Sequence, residues 1–370
     1  MDAVQPTSGP RNVVLFLGDG MGISTITAAR IHAGQKQGLP GEAYSLAFEK
    51  LPNVALIKTY NTDLQVPDSA GTMSALVTGV KTRAGVLSIP PSVNRGNCPE
   101  ALKAPLPTLL EEAEALGLRT GLVTTARLTH ATPAANYAHS ADRNWEDDTT
   151  MPVPATGAGC RDIARQFVEF GGGDGVDVAL GGGRANFFPE DTMDPEYAKP
   201  LGRRKDNRDL VAEWVAAGAD RRYAWDRATF EAALATAEPG STQLLGLFEP
   251  SHMQYDADRD TAAEPALAEL AIAALDLLSS GNQDGYYLVV EGGRIDHAHH
   301  QGNAYRALED TLAFDAAVAA VLERVDLEDT LVLVTADHSH TLTISGYPVR
   351  GNPILGKVRI PTGALLCGAD

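Results

Sequence analysis

The hydrophobic and polar positions of this chain follow two alternating patterns. Short, almost wholly apolar runs recur along the sequence, as is typical of strands that are buried on both faces of a sheet. These runs cover residues 13–17, 54–57, 121–124, 176–180, 286–290 and 331–335. Between them, apolar residues repeat at helical spacing in residues 107–116, 162–170, 266–278 and 304–322. The alternation predicts an α/β fold with a mostly parallel central sheet and helices on both faces.

The length of 370 residues favours one main domain, because large α/β folds often build a single sheet from a chain this long. We therefore expect one domain over residues 1–370. Gly, Pro and charged residues are concentrated in two regions of the sequence, near residues 89–105 and 188–264. This composition is typical of loops, so we expect both regions to be surface insertions.

Charge and cysteine content narrow the class of protein. The formal net charge of -18 argues against a nucleic-acid-binding surface, which depends on clustered Lys and Arg. No apolar run reaches the roughly 18 residues that would span a bilayer, and the polar N-terminal residues do not have the pattern of a signal peptide. The chain has three cysteines, Cys98, Cys160 and Cys367, which allow one disulfide and leave the redox compartment open.

Three of the predicted strands end close to a carboxylate. Asp19, Glu291 and Asp337 each follow an apolar run within two residues. In open α/β sheets the ligand crevice lies beyond the carboxyl ends of the strands, so these side chains are expected to converge. Each one alone is equally consistent with a turn or helix-cap residue. Together they would repel one another unless a cation neutralised them, so the sequence predicts a metal site.

Histidines supply further potential ligands. Asp296 and His300 are four residues apart and would share one face of a helix, while His338 directly follows Asp337. A solvated helix end would also tolerate the histidine-rich run of residues 296–300. Mixed oxygen and nitrogen ligands favour zinc, whereas Asp19, Glu291 and the hydroxyl of Thr132 form an all-oxygen set that suits magnesium.

Residues 67–72, Pro-Asp-Ser-Ala-Gly-Thr, suggest a nucleophile at the start of a helix. Asp68 can cap a helix over residues 69–77, which would place Ser69 beside free backbone N–H groups that attract anions. Zinc would lower the pKa of the Ser69 hydroxyl further. The alternative is that Asp68 and Ser69 are both only cap residues. Arg143 is a candidate for a bidentate clamp on phosphoryl oxygens, although by itself it would be taken for a surface arginine.

Taken together, five motifs resemble the alkaline phosphatase family, and their wording is closest to its animal-type branch. They lie in family order at residues 18–22, 68–72, 129–133, 291–297 and 335–340, and the likeness extends from residue 12 to about residue 357. The resemblance implies that Ser69 becomes phosphorylated and that Arg143 binds the phosphate.

The resemblance also implies three ion sites in the active site. One zinc would be bound by Asp19, Asp337 and His338, the other zinc by Asp296 and His300, and magnesium by Asp19, Thr132 and Glu291. Four further residues would support these sites without being principal ligands: Asp68, His130, His297 and His340. The family completes the second zinc site with a histidine from a C-terminal motif that this chain does not reach. On the resemblance, that zinc is under-ligated here. Either the site is completed differently or, as we expect, the sequence is a fragment that lacks the C-terminal part of the family fold.

Two features match the animal-type branch in particular. The carboxylates of Glu196, Glu249 and Glu264 and the carbonyl of Phe248 fall where that branch binds calcium. Cys98 and Cys160 match one of its disulfides, which fits an oxidising compartment, either periplasmic or extracellular. The resemblance further implies a homodimer.

The expected activity is therefore hydrolysis of small phosphomonoesters, with inorganic phosphate as product and no nucleic acid partner. Two alternatives from the same superfamily are a phosphodiesterase and a sulfatase. A sulfatase would need Cys or Ser-x-Pro-x-Arg at the nucleophile, which residues 69–73 do not supply. A third alternative is a fragment that binds metal and phosphate without turnover, because the second zinc site lacks a family ligand.

Overall fold

The computed structural model describes residues 9–360, so Cys367 lies outside the described residues. One sheet of seven strands is parallel throughout, with the order β4-β5-β3-β2-β6-β1-β7. The strands are β1 Asn12–Gly18, β2 Arg119–Arg127, β3 Val178–Gly182, β4 Arg221–Ala224, β5 Gln243–Leu247, β6 Tyr286–Gly292 and β7 Thr330–Ala336. This is the mostly parallel α/β sheet that the apolar runs predict.

Within the same residues the structure has twelve α-helices. They are α1 Ile23–Lys36, α2 Ser69–Thr78, α3 Cys98–Ala101, α4 Leu109–Ala115, α5 Ala131–Tyr137, α6 Val153–Gly157, α7 Ile163–Val168, α8 Leu210–Ala216, α9 Arg227–Ala235, α10 Leu267–Ser279, α11 Arg294–His300 and α12 Ala304–Leu322. None of these helices is long and apolar enough to cross a membrane.

Both faces of the sheet are covered, as the central strand β1 shows. Val14 and Phe16 pack into an apolar cluster with residues of α9, α10 and α12. Leu15 and Leu17 point the other way, into a second cluster with residues of α2, α4, α5, α7 and α8. Successive side chains of a strand point to opposite faces, so a fully apolar run is required when both faces are buried. The prediction of helices on both faces is confirmed.

The register of the three strands β6, β1 and β7 sets the geometry of the site. Gly18 at the end of β1 lies opposite Gly292 of β6 and Ala336 of β7. The three carboxylates at or just beyond these positions therefore reach the same end of the sheet. The structure thus brings the three carboxylates together, as the strand-end rule applied to the sequence predicts.

Two regions differ from the sequence prediction. Residues 54–57 do not form a strand; Val54 is 96% exposed and Leu56 is 91% exposed, and no neighbouring strand pairs with them. The prediction was wrong because an apolar run becomes a strand only where a partner supplies hydrogen bonds. Conversely, residues 188–264, expected as a surface insertion, include α8, β4, α9 and β5, so much of this range belongs to the sheet and its helices.

A disulfide links Cys98 at the start of α3 to Cys160 just after α6. Both half-cystines belong to a small apolar cluster that also contains Val86, Ile89 and Trp145. The disulfide implied by the family resemblance is therefore present, and it fastens the region near residues 89–105 to the body of the fold.

Candidate active site

The Ser69 hydroxyl lies among the side chains predicted to hold the first zinc. Its Oγ is 3.2 Å from both carboxylate oxygens of Asp19 and 3.4 Å from Nε2 of His338. Nε2 of His338 is also 3.5 Å from Asp19 Oδ1 and 3.4 Å from Asp337 Oδ2. Potential ligand atoms of Asp19, Asp337 and His338 all lie within 4.8 Å of one another. A single cation could contact all three side chains and the hydroxyl.

Helix α2 accounts for the position of Ser69. Asp68 is the N-cap residue, and its Oδ1 accepts a hydrogen bond from the backbone N–H of Gly71 at 3.1 Å. The predicted cap is thus confirmed for Asp68. Ser69 is the first helical residue and is 4% exposed. Because its hydroxyl faces Asp19 and His338, the reading of Ser69 as only a cap does not fit the geometry.

The raised pKa values of the buried carboxylates around Ser69 indicate that a cation would be stabilised there. Burial raises the pKa of Asp19 well above its ordinary value, and repulsion from Asp337, Asp296 and Glu291 raises it further. Burial likewise raises the pKa of Asp337, and it raises the pKa of Glu291 to about 7. Bound cations would offset both the desolvation and the repulsion, which is the charge balance that a metal centre supplies.

The residues predicted for magnesium also converge. Ligand atoms of Asp19, Glu291 and His130 lie within 4.8 Å of one another. Thr132 Oγ1 and Glu291 Oε1 are buried without a hydrogen-bond partner among the described residues. Buried polar atoms in folded proteins are nearly always paired, so two such atoms at one site are consistent with an ion between them. The residues present therefore fit a hard cation.

His130 and Arg143 are joined at the edge of this group. Arg143 Nη2 lies 3.1 Å from Nε2 of His130, and Arg143 Nη1 donates to Asp68 Oδ2 at 3.1 Å. Since a guanidinium can only donate, Nε2 of His130 accepts and Nδ1 holds the hydrogen. Nδ1 of His130 is buried without a hydrogen-bond partner among the described residues. Burial and the charge of Arg143 lower the pKa of His130 well below its ordinary value.

The predicted second zinc site gains a third side chain in the structure. Asp296 and His300 lie on α11, with His300 Nε2 3.4 Å from Asp296 Oδ2. Nε2 of His340 is 3.3 Å from Asp296 Oδ1, and ligand atoms of all three residues lie within 4.8 Å of one another. The side chain of Asp296 is 7% exposed, but that of His300 is 69% exposed. Solvent can therefore reach the predicted second zinc site from the side of His300.

The ring of His340 is oriented by its neighbour. Its Nδ1 accepts a hydrogen bond from the backbone N–H of Thr341 at 2.8 Å. The neutral ring then carries its hydrogen on Nε2, which faces Asp296. In this tautomer Nε2 of His340 is positioned to donate to the Asp296 carboxylate, which is the supporting position that the resemblance implies.

His252 is a further histidine near this centre, and it belongs to none of the five motifs. Its ring centroid is 4.2 Å from that of His297 and 5.4 Å from that of His130. The backbone N–H of Arg127 donates to Nδ1 of His252 at 3.1 Å. Burial followed by the charge of Arg294 lowers the pKa of His297 to about 3, so this ring is neutral at physiological pH. Extending the strand-end rule to β5 would have pointed to His252, but β5 itself was not predicted.

The residues predicted for calcium lie together but are largely satisfied by other partners. Arg184 donates to Glu196 at 2.6 Å, Tyr197 donates to Glu249 at 2.9 Å, and the backbone of Gln254 donates to Glu264 at 3.2 Å. Burial raises the pKa of Glu264 to about 8, with a further contribution from Glu249. Within residues 9–360, none of the three-residue groups of closely spaced ligand atoms contains these acids.

The sequence of this chain is similar to those of known proteins. A family model described as alkaline phosphatase matches residues 10–363. The tissue-nonspecific isozyme of alkaline phosphatase from Gallus gallus is 46% identical over 352 residues, which cover 94% of this chain and 67% of the relative. The isozyme of the same name from Homo sapiens is 44% identical over 357 residues, covering 95% of this chain and 67% of the relative. This chain spans about two thirds of the length of both relatives.

Solved structures of alkaline phosphatases are also similar to the structure of this chain. Alkaline phosphatase from Thermus thermophilus superposes with a TM-score of 0.72 at 31% identity, covering 93% of this chain and 63% of that chain. Alkaline phosphatase from the Antarctic bacterium TAB5 superposes with a TM-score of 0.69 over 90% of this chain and 80% of that chain; at 24% identity it supports the fold alone. The resemblance to the animal-type branch is confirmed by the two isozymes. The chain therefore belongs to the alkaline phosphatase family of phosphomonoester hydrolases.

Proposed function

We propose that the chain hydrolyses phosphomonoesters through a phosphoserine formed at Ser69. The observation that carries the proposal is the position of the Ser69 hydroxyl, 3.2 Å from both oxygens of Asp19 and 3.4 Å from His338 Nε2, on the first residue of α2. A helix N-terminus attracts phosphate, so a substrate phosphoryl group held there would lie next to this hydroxyl.

The reaction would proceed in two displacements at phosphorus. In the first, the Ser69 hydroxyl releases its proton to solvent and Oγ forms a bond to phosphorus, while the bond to the ester oxygen breaks and that oxygen takes up a proton from water and leaves as the alcohol. In the second, water forms a bond to phosphorus and the bond to Ser69 Oγ breaks, which restores the hydroxyl and releases inorganic phosphate. Arg143, held by Asp68 on one side, would donate its N–H groups to two phosphoryl oxygens.

The family is metal-dependent, and the residues described above fit ions of two kinds. We assign Asp19, Asp337 and His338 to one zinc, Asp296 and His300 to a second zinc, and Asp19, Thr132 and Glu291 to magnesium. When bound, these ions would supply Lewis-acid stabilisation of the charge on the entering and leaving oxygens and on the other phosphoryl oxygens. Glu196, Phe248, Glu249 and Glu264 are proposed as a separate calcium site.

Trapping of the intermediate tests the role of Ser69. The zinc- and magnesium-loaded chain is mixed with a radiolabelled aryl phosphate and quenched in acid, and the labelled peptide is identified. We expect label on Ser69, and none in Ser69→Ala. Ser74→Ala is the matched control, because Ser74 lies on the same helix but its hydroxyl bonds to Val86. Full turnover by Ser69→Ala would refute the mechanism.

Comparison of two substrates tests the choice of phosphomonoesters over diesters. Arg143 favours a monoester, because a monoester presents three unesterified, charged phosphoryl oxygens, whereas a diester presents two and places a second ester group beside them. We expect faster cleavage of an aryl phosphate monoester than of the corresponding diester. Faster cleavage of the diester would favour a phosphodiesterase.

Metal analysis tests the interpretation of the chain as a binding protein without turnover, which is motivated by the 69% exposed side chain of His300. Fewer than two zinc equivalents per chain together with inert phosphate binding would favour that reading. Turnover with two zinc equivalents would exclude it.

We also propose an oxidising compartment, periplasmic or extracellular, and a homodimer. The compartment is supported by the Cys98–Cys160 disulfide, since disulfides persist in oxidising surroundings. Non-reducing mass spectrometry of protein from its native compartment tests the first proposal, and sedimentation tests the second.

A further inference from the structure

Residues 51–68 directly precede helix α2, which begins at Ser69, and they are mostly exposed to solvent. Asn61 is the exception: it is 3% exposed and is the buried side chain of this segment, whereas the apolar Val54 and Leu56 are almost fully exposed. A segment that exposes its apolar side chains and buries an amide is not held by the hydrophobic effect at that position. The contacts of the amide explain its burial.

Asn61 donates a hydrogen bond to Asp68, the N-cap residue of helix α2. Its Nδ2 lies 2.9 Å from Asp68 Oδ1, the same oxygen that accepts the backbone N–H of Gly71. The other oxygen, Asp68 Oδ2, accepts from the backbone N–H of Gly85 at 2.9 Å and from Arg143 Nη1 at 3.1 Å. Four donors therefore fix the Asp68 carboxylate, and one of them is the proposed phosphate clamp.

The amide is also in close contact with the first turn of α2. A Cβ atom on Gly71 would lie 2.6 Å from Asn61 Oδ1 and 2.8 Å from its Nδ2, closer than side-chain atoms can approach. Glycine at this position therefore leaves room for the amide. Asn61 Oδ1 is buried without a hydrogen-bond partner among the described residues, which is costly. An apolar side chain would avoid that cost, so the donor to Asp68 is what the amide provides.

We propose that Asn61 is a positioning residue for phosphate: by holding Asp68, it sets the direction of Arg143 relative to Ser69. This inference rests on the proposed function, in which Arg143 binds the phosphoryl oxygens. Loss of the Asn61 donor would leave Asp68 Oδ1 with the Gly71 N–H alone, so the carboxylate could shift, and Arg143 Nη1 would move with its partner. The effect would fall on phosphate binding rather than on the fold.

Calorimetric titration of the zinc- and magnesium-loaded chain with inorganic phosphate tests the inference. Asn61→Leu keeps the approximate shape but removes the donor, and we expect phosphate affinity to fall roughly tenfold, as for loss of a hydrogen bond to a charged group. KM for an aryl phosphate should rise by a similar factor, with a smaller change in kcat. Thr62→Ala is the control, because Thr62 is exposed and contributes its backbone N–H to Thr82, which alanine retains.

A double substitution separates positioning from a general structural effect. If Asn61 acts through Asp68, adding Asn61→Leu to Asp68→Ala should weaken phosphate binding no further. Additive losses, or unchanged affinity in Asn61→Leu with an unchanged melting temperature, would overturn the inference. If Asn61→Leu unfolds, Asn61→Ser and Gly71→Ala provide the same test, since the first removes the amide and the second displaces it. Absence of phosphoserine in the unsubstituted chain would instead overturn the proposed function.

Discussion

The two halves of the candidate active site are built on different parts of the fold. In one half, Asp19, Glu291 and Asp337 lie at the ends of β1, β6 and β7, and all three are at most 1% exposed. In the other half, Asp296 and His300 project from the seven-residue helix α11, and the His300 side chain is 69% exposed. The first half, called the strand-held half below, is fixed by paired strands. The second, the helix-held half, includes a side chain that solvent can reach.

This difference has an energetic consequence. Ligands on paired strands are already ordered, so binding of an ion there costs little conformational entropy. An exposed histidine loses rotamer freedom when it binds, at a cost of the order of 1 kcal/mol. We therefore expect the ion at Asp296 and His300 to be bound more weakly than the ion at Asp19 and Asp337, and to leave first when metal is removed.

The largest expected effect comes from Asp19, which is common to the zinc and magnesium sets of the strand-held half. Asp19→Ala should lower kcat/KM at least ~1,000-fold and reduce the content of both ions, because it removes a ligand from two sites and the group nearest the Ser69 hydroxyl. Elemental analysis and steady-state kinetics measure this. Asp284→Ala, at an exposed acid, should change neither. Retention of both ions by Asp19→Ala would contradict the assignment.

A smaller effect is expected from His300 in the helix-held half. His300→Ala should remove about one zinc equivalent and lower kcat/KM by ~100-fold. The ions of the strand-held half should remain, since their ligands are untouched. Gln301→Ala, at the next exposed residue, serves as the control in the same elemental analysis. Loss of all bound zinc in His300→Ala would show that the two halves are not independent.

His340 distinguishes a ligand from an orienting residue in the helix-held half. Because its Nδ1 accepts from Thr341, we expect His340→Ala to retain the zinc and lower zinc affinity by ~10-fold. Competition with a chelator measures the affinity. Should the variant lose a whole zinc equivalent, His340 would be a direct ligand, and this chain would complete its second zinc site from its own residues.

The smallest effect concerns the pH dependence of stability in the metal-free chain. Burial raises the pKa of Glu291 from an ordinary value of 4.5 to about 7, so between these values the folded chain holds a proton that the unfolded chain releases. The free energy of unfolding should therefore fall as pH rises from about 4.5 to about 7. Calorimetry at several pH values should show a drop of a few degrees in melting temperature.

Bound ions provide the control for this pH effect. Zinc and magnesium should reduce this decrease in the free energy of unfolding, since they would neutralise the carboxylates of the strand-held half. The part that remains would come from buried acids away from the site, such as Glu114, whose pKa burial raises to about 8. Equal slopes with and without ions would argue against a cation at Glu291.

The strand-held half was also the easier one to predict from sequence. A strand buried on both faces must be apolar throughout, so β1, β6 and β7 are recognisable, and the acids that follow them identify the ligand end of the sheet. The four residues of β4, Arg-Arg-Tyr-Ala, carry no such pattern and form a strand only because β5 pairs with them. In the helix-held half, the four-residue spacing predicts Asp296 and His300 on one face of a helix, but the approach of His340 to α11 is a tertiary contact that local spacing does not encode.

The Cys98–Cys160 disulfide closes a covalent ring around one part of the site. The two cysteines are 62 residues apart, and the ring contains His130, Thr132 and Arg143 but none of the acids at Asp19, Asp296 and Asp337. A protease cut at an exposed position inside the ring would break the main chain yet leave both pieces attached. The nicked protein would run as one species until it is reduced, and reduction would then separate Arg143 from one of the two chain segments that flank it.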